Sequence, residues 1–311
     1  MSMLDRIFEN EKELVRIVNP ISFDNWIGSN PSGGVDYYVD NNVGTGGDGL
    51  TWKTPMKNLS VAIAASNKSI GLASNRFWAR RNRIFFCGDL ETVDLTVFPS
   101  KCDVIGVGSY DANTQAGIAG NHAPVNASNY GTRFVNIWFK APAVASPIVT
   151  LANTSSGTQF IGCMFDGILG TVTSGILSTA HPFMKVIGCT FQGTFATSCI
   201  SFGTGEAGGT VIDGNWMAGS ASTGIVAAAD TTTSFPSIIK ENTIVVTDSS
   251  VCINDASNLF YCVNNRLINQ GTVTAWAHHT AVATVNADFA AGNLCTGSAG
   301  NQVTLGTTVG S

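Results

Sequence analysis

Ionic side chains are scarce in this chain: charged residues make up only 12% of its 311 positions, about half the usual share. The net charge of −5 removes the basic face that a nucleic-acid-binding protein needs. Histidine occurs four times, CxxC is absent, and no Cys/His spacing suits zinc, so neither a metal nor a cofactor is expected. No apolar run approaches the roughly 20 residues of a membrane helix, which excludes a helical membrane protein. The first residues, from Met1 to Glu9, carry charges where a signal peptide needs its apolar region. Synthesis in a host cytoplasm without Sec export is expected.

What the chain has in quantity is hydrophobic residues, 44%, and 34 glycines, with β-branched residues throughout. That is the composition of an all-β protein with many tight bends. Its second half repeats one short phrase. Phe134-Val-Asn-Ile137-Trp-Phe139 is followed by Phe160-Ile-Gly-Cys163-Met-Phe165 and Val186-Ile-Gly-Cys189-Thr-Phe191. The phrase then degenerates around Asn215, Asn242, Asn265 and Asn293. Its centres at 137, 163, 189, 215, 242, 265 and 293 are 26, 26, 26, 27, 23 and 28 residues apart. A period of that size predicts a solenoid, whose units bury their apolar faces only by stacking.

Within the phrase, apolar residues stand at −3 and +2 about the centre. This breaks the period of two and demands a sharp bend between strands. Glycine at −1 (Gly162, Gly188, Gly214, Gly292) suits a backbone with positive φ. At the centre, Asn215, Asn242, Asn265 and Asn293 are predicted to stack at the strand spacing of about 4.8 Å and to hydrogen-bond as a ladder. Cys163 and Cys189 share that position, where cysteine acts as a small hydrophobe; the eight cysteines are therefore not expected to form disulfides. A second strand per rung is signalled by Ile148, Ile176, Ile200, Ile225 and Val251.

Taken in order, residues 1–34 read as an amphipathic helix (Leu4, Ile7, Phe8, Leu14, Val15, Val18 on one face) and a linker with Trp26. This segment either caps the first rung or is an arm that docks on a larger partner. The run Arg76, Arg80, Arg81, Arg83 is expected to be a solvated cap, with docking on an acidic partner as the alternative. Residues 109–131 are expected to be an excursion from the rod, and 297–311 a cap or tail. Between them lies one β-helix domain, 35–296. A strand ending in Val39-Asp40, the Gly44-Thr-Gly-Gly-Asp48-Gly49 loop, Thr54-Pro55 and a helix carrying Leu59, Ala62 and Ile63 resemble the start of pectate-lyase-like right-handed parallel β-helices. Within that family the chain is most similar to β-helical virion proteins of tailed phages. The resemblance implies the fold and a side-by-side trimer; one scaffold of this kind hosts many functions.

Enzymes of that family use carboxylate clusters. From Gly131 onward the chain has eight acids and five bases, and no repeat position holds carboxylates on adjacent rungs, so no catalytic residue is assigned. Asp213 and Glu241 are the nearest pair, but Lys240 stands over Asp213 one rung along, and an ion pair is the favoured reading. Asp166 is expected on a solvated edge, His122 and His181 at the surface, and His278-His279 on opposite faces of a strand. Trp138, Met164 and Trp216 are the candidate interface on the outer wall. Outward tryptophans also serve as sugar platforms or lie under a loop. The chain is thus expected to be a non-enzymatic, homotrimeric head decoration protein or small tail spike or fibre, docked on capsid or tail through 1–34. A polysaccharide lyase or glycoside hydrolase, and a module binding host surface glycan, are the alternatives.

Overall fold

The computed structural model describes residues 33–71, 80–108, 116–124, 130–142, 144–152, 156–218, 223–228, 231–232, 235–246, 252–257, 260–269, 290–297 and 302–305. They form a parallel β-solenoid, all-β apart from one helix. Its first sheet stacks ten parallel strands: Asp36–Asp40, Asn82–Cys87, Cys102–Gly106, Arg133–Val135, Gln159–Ile161, Lys185–Ile187, Val211–Asp213, Ser237–Lys240, Phe260–Val263 and Ala290–Ala291. The repeat at 26–28 residues, with one step of 23, is what sets each −3 residue over the last. Phe134, Phe160, Val186, Ile212, Ile239 and Cys262 are register partners in turn, all buried.

After the bend each rung enters a second sheet through Trp138–Lys140, Met164–Ser178, Thr190–Phe202, Trp216–Met217, Thr243–Val246, Arg266–Asn269 and Asn293–Gly297. The +2 residues form a second inward column. Phe139 and Phe165 stack at 5.1 Å, and Phe165 and Phe191 at 4.6 Å, nearly parallel in both cases. Phe134 and Phe160 stack likewise at 5.6 Å and meet the other column edge-on. Such offset and edge contacts add to the burial of large rings. The second sheet ends differently from the first: Gln302–Leu305 returns antiparallel along Asn293–Gly297.

The bend has one conformation throughout. At −1, Asn136, Gly162, Gly188, Gly214, Glu241, Asn264 and Gly292 all have φ between 53 and 66°. Glycine reaches this left-handed region without penalty, whereas Glu241 does so against the clash of its Cβ. A Cβ at Gly162, Gly188 or Gly214 would meet nothing within 4 Å, so these glycines answer to φ and not to crowding.

The N-terminal end of the core is covered by the expected helix, Leu59–Gly71, which buries Leu59, Ala62, Ile63 and Ile70. Asn82 ties it down by donating to Ser66 O (3.1 Å) and Ser69 Oγ (2.8 Å) while accepting from Val35 N (2.8 Å). Residues 1–32, with the amphipathic segment, and most of the tail lie outside the described residues, as do Arg76, Val251 and His278-His279. Two expectations are corrected. The stretch 109–131 contains a strand of the wall, Gly117–Ala119, paired with Trp138–Lys140, because Ile118 supplies the inward residue of that rung. The third face aligns Val149, Ile176, Ile200, Ile225 and Ile253, so Val149 holds the place expected of Ile148 and Ile253 that of Val251.

Candidate functional site

The central column is the most connected part of the interior. The sharp bend turns the N–H of the central residue along the stack, where no backbone carbonyl meets it. Asn242 Oδ1 fills that gap for Asn215, accepting from Asn215 N at 3.0 Å and Nδ2 at 2.8 Å. Asn265 serves Asn242 in the same way, and Asn293 serves Asn265. Each Nδ2 also donates backwards to the −3 carbonyl of the preceding rung, as from Asn215 to Val186 O at 2.9 Å. Cys163 and Cys189 continue the arrangement with thiols aimed at Phe134 O and Phe160 O, both at 3.4 Å. Burial, and the neighbouring Cys163 thiol after it, push the Cys189 thiol well above its ordinary range. Every polar group here is inside and engaged by its own column, which makes it a scaffold and leaves function to the outer wall.

On the second sheet Trp138, Met164, Thr190 and Trp216 stand in one outward row. Their surroundings differ. Trp216 is 51% exposed, but Met164 is only 7% exposed, which removes it as an exposed interface residue. It lies between the Trp138 and Thr190 rungs, with Gln192 Nε2 donating to its sulfur at 3.5 Å. Trp138 is half-buried: Lys140 Nζ sits 5.0 Å over its ring and its Nε1 donates to Asp166 Oδ2 at 3.3 Å. Asp166 is accordingly buried, not solvated, because the tryptophan of the previous rung lies against it.

Three carboxylates of the first sheet, Asp36, Asp103 and Asp213, are bound by cations on the same wall, while Asp40 accepts from Asn42 N at 3.0 Å. Lys240 Nζ lies 3.0 Å from Asp213 Oδ2 and 4.0 Å from Glu241 Oε1, which is the ion pair favoured from sequence. Arg81 and Arg133 both bind Asp103, Arg133 through Nε at 2.6 Å and Nη2 at 2.9 Å. Arg83 Nε donates to Asp36 Oδ1 at 2.8 Å. Arg81 and Arg83 are therefore not a solvated cap; alternate residues along this edge point outward, and register sets acid over base. Asp255, also buried, accepts from Ser257 Oγ at 2.5 Å and Phe260 N at 3.1 Å. Among the described residues no group of three or more His, Cys, Asp or Glu is placed to hold a metal ion, and no helix is long and apolar enough to cross a membrane.

Both described histidines are inside, contrary to expectation. His122 Nδ1 accepts from Leu95 N at 3.3 Å, and its ring meets Phe139 edge-on. His181 Nε2 accepts from Thr158 N at 3.3 Å, while the ring also bonds to the Ala152 carbonyl. Burial lowers each to about 4. Their proline neighbours suggested surface loops, but the loops turn inward at these residues. A feature that sequence reading passed over is a corner of exposed rings: Phe183 (42% exposed) and Phe235 (53%) pack together at 5.2 Å.

No family model and no curated protein matches the chain. Among solved structures it is similar to the tailspike protein of Acinetobacter phage vB_ApiP_P1, with 11% identity, a TM-score of 0.36, and coverage of 77% of this chain and 56% of that one. It is also similar to the ORF18 protein of Geobacillus virus E2, with 14% identity, a TM-score of 0.36, and coverage of 94% of this chain and 64% of the other. The chain thus spans less than two thirds of either, and a likeness of this degree carries no argument about activity.

Proposed function

We propose that this chain is a non-enzymatic structural protein of a tailed-phage virion, of the pectate-lyase-like type: a homotrimeric head decoration protein or a small tail spike or fibre. The observation that carries the reading is the state of its carboxylates. Asp36, Asp103 and Asp213 are matched by cations of the same wall, and Asp166 and Asp255 are buried acceptors. Glycoside cleavage needs two carboxyl groups that face one bond, one able to give a proton and the other to attack or activate water. The pairing of Asp36, Asp103 and Asp213 supports a scaffold on that wall, and Glu91, half-buried and with its carboxyl raised by burial, is held as an acceptor of Leu59 N at 3.0 Å. The repeated phrase and the ion-poor composition support the virion setting, with residues 1–34 as the segment that docks on capsid or tail.

Gold-labelled antibody on particles from the source of the protein tests this reading. Label over the head is expected of a decoration protein and label at the tail of a spike or fibre; unlabelled particles would overturn it. A second reading, a module binding host surface glycan, is favoured by the exposure of Trp216, since indole faces stack on sugar rings. Quenching of its fluorescence by a glycan panel, absent in Trp216→Ser, would support that module.

A further inference from the structure

The turn 179–184, which leads from the third face back to the first sheet, is held under strain. Ala180 (φ 54°) and Phe183 (φ 61°) both lie in the left-handed region, and among the described residues no other turn holds two non-glycine residues there. Each does so against the clash of its Cβ, a strain that persists only where the surroundings fix it. The next rung makes room: a Cβ on Gly205 would strike Ala180, and one on Gly209 the Phe183 ring. Thr179 N donates to Leu151 O at 2.7 Å and Gly157 N to Pro182 O at 2.9 Å, which ties the turn to the preceding rung. Phe183 N donates to Gly208 O at 2.9 Å on the next. At the middle His181, wholly buried, reaches back. Its Nε2 accepts from Thr158 N at 3.3 Å, which leaves the proton on Nδ1 to donate to the Ala152 carbonyl.

We propose that this turn is an acid-released latch: the neutral His181 ring holds it shut, and a proton on Nε2 opens it. The inference goes beyond the virion reading and does not rest on it. Only the neutral ring can accept from Thr158. Once protonated, its Nε2–H would face the Thr158 N–H, donor against donor, with a charge inside the rod. Opening returns both groups to water and frees Ala180 and Phe183 from the left-handed backbone. The charged groups described on the elements packed around the turn are Glu206 and Lys185. Glu206, on the next rung, accepts from Gly208 N at 2.6 Å, and Lys185 stands at an outward position of its own strand. Neither offsets the buried charge: burial lowers the ring to about 4, with the Ala152 carbonyl opposing. The closed turn is thus at full strength above about pH 6.5 and weakens as pH falls towards 4. His122 is buried as well, but no non-glycine residue beside it is left-handed, so acid has no such strain to release there.

Amide hydrogen exchange of the full chain from pH 7 to 4.5, corrected for the intrinsic rate at each pH, tests the latch. Protection at Gly157, Thr158 and Phe183 is expected to fall by up to about tenfold per pH unit below 6.5, while the amides of Asn215 and Asn242 hold. His181→Gln, whose side chain accepts and donates in the same places without titrating, is expected to abolish that pH dependence. Ala180→Gly is expected to raise protection of the turn about 2–5-fold throughout. Protection that stays level down to pH 4.5, or that falls alike at the turn and in the asparagine column, would overturn the proposal. So would a pH dependence in His181→Gln equal to that of wild type. Should that variant not fold, Ala180→Gly decides, and protection at or below the wild-type level overturns the latch.

Discussion

Asn265 Oδ1 accepts two hydrogen bonds from Asn242, from its N at 3.0 Å and from its Nδ2 at 2.9 Å. One oxygen thereby satisfies both a backbone donor stranded by the bend and the amide beneath it. Replacing Asn242 by Ala would strand the N–H and Nδ2 of Asn215 and the carbonyl of Ile212, all buried. A loss of about 2–4 kcal/mol is expected, read as a lower urea midpoint with unchanged slope. Asn242→Ala within experimental error of wild type would show that water replaces the amide.

The seven left-handed bends make a paired prediction. Gly188→Ala costs about 1 kcal/mol through φ alone, because the added methyl has open space. Glu241→Gly has the opposite sign, a gain of about 0.5–1 kcal/mol after the extra freedom of the unfolded glycine is counted. Thermal melting of both variants checks the pair; equal signs would contradict it.

The interior histidines set an acid limit. Each has a folded value near 4 against 6.5 for the free side chain. Between those values the unfolded chain binds more protons than the folded one, so stability is full above about pH 6.5 and lost as pH falls towards 4. The loss is on the order of 3 kcal/mol per histidine. Asp94, the charge nearest His122, opposes its shift only in part. Urea midpoints taken from pH 7 to 4 should fall steeply in wild type and less steeply in His122→Gln or His181→Gln. An unchanged slope in both variants would refute the assignment.

Asp103 stands between two guanidiniums, Arg81 and Arg133. Asp103→Asn removes the carboxylate that both guanidiniums share at a half-covered site, and a loss of about 1–3 kcal/mol is expected. Lys240→Ala breaks a single pair whose carboxylate is more exposed, 24% against 12% for Asp103, and its effect should be smaller. A chemical denaturation series that ranks the two the other way would contradict the burial argument.

Much of the architecture was legible because the phrase around Cys163 and Cys189 repeats both its spacing and its inward residues. The Asp213–Lys240 pair followed from the same register. Other parts were hidden where neighbours decide. Met164 occupies an outward position yet is covered, because Trp138 and Gln192 on adjacent rungs are large. Asp166 is buried for the same reason. His122 and His181 looked like loop residues, since a polar ring beside proline carries no sign of direction. Glu241, an ill-suited residue at a left-handed bend, was invisible as such until the glycines at 162, 188 and 214 were seen to share its φ. The Phe183–Phe235 corner joins residues of different rungs outside the repeated phrase, so no spacing announced it.

The steps of 26 residues between the Ile137, Cys163, Cys189 and Asn215 centres have a consequence for how such a chain changes over time. Because each rung touches mainly the one before and after, removal or duplication of one such segment leaves every remaining register intact. The rod is in this sense a ruler with a unit of about 4.8 Å. Its length can be altered by whole units through recombination while its two ends, and whatever they attach to, stay as they are.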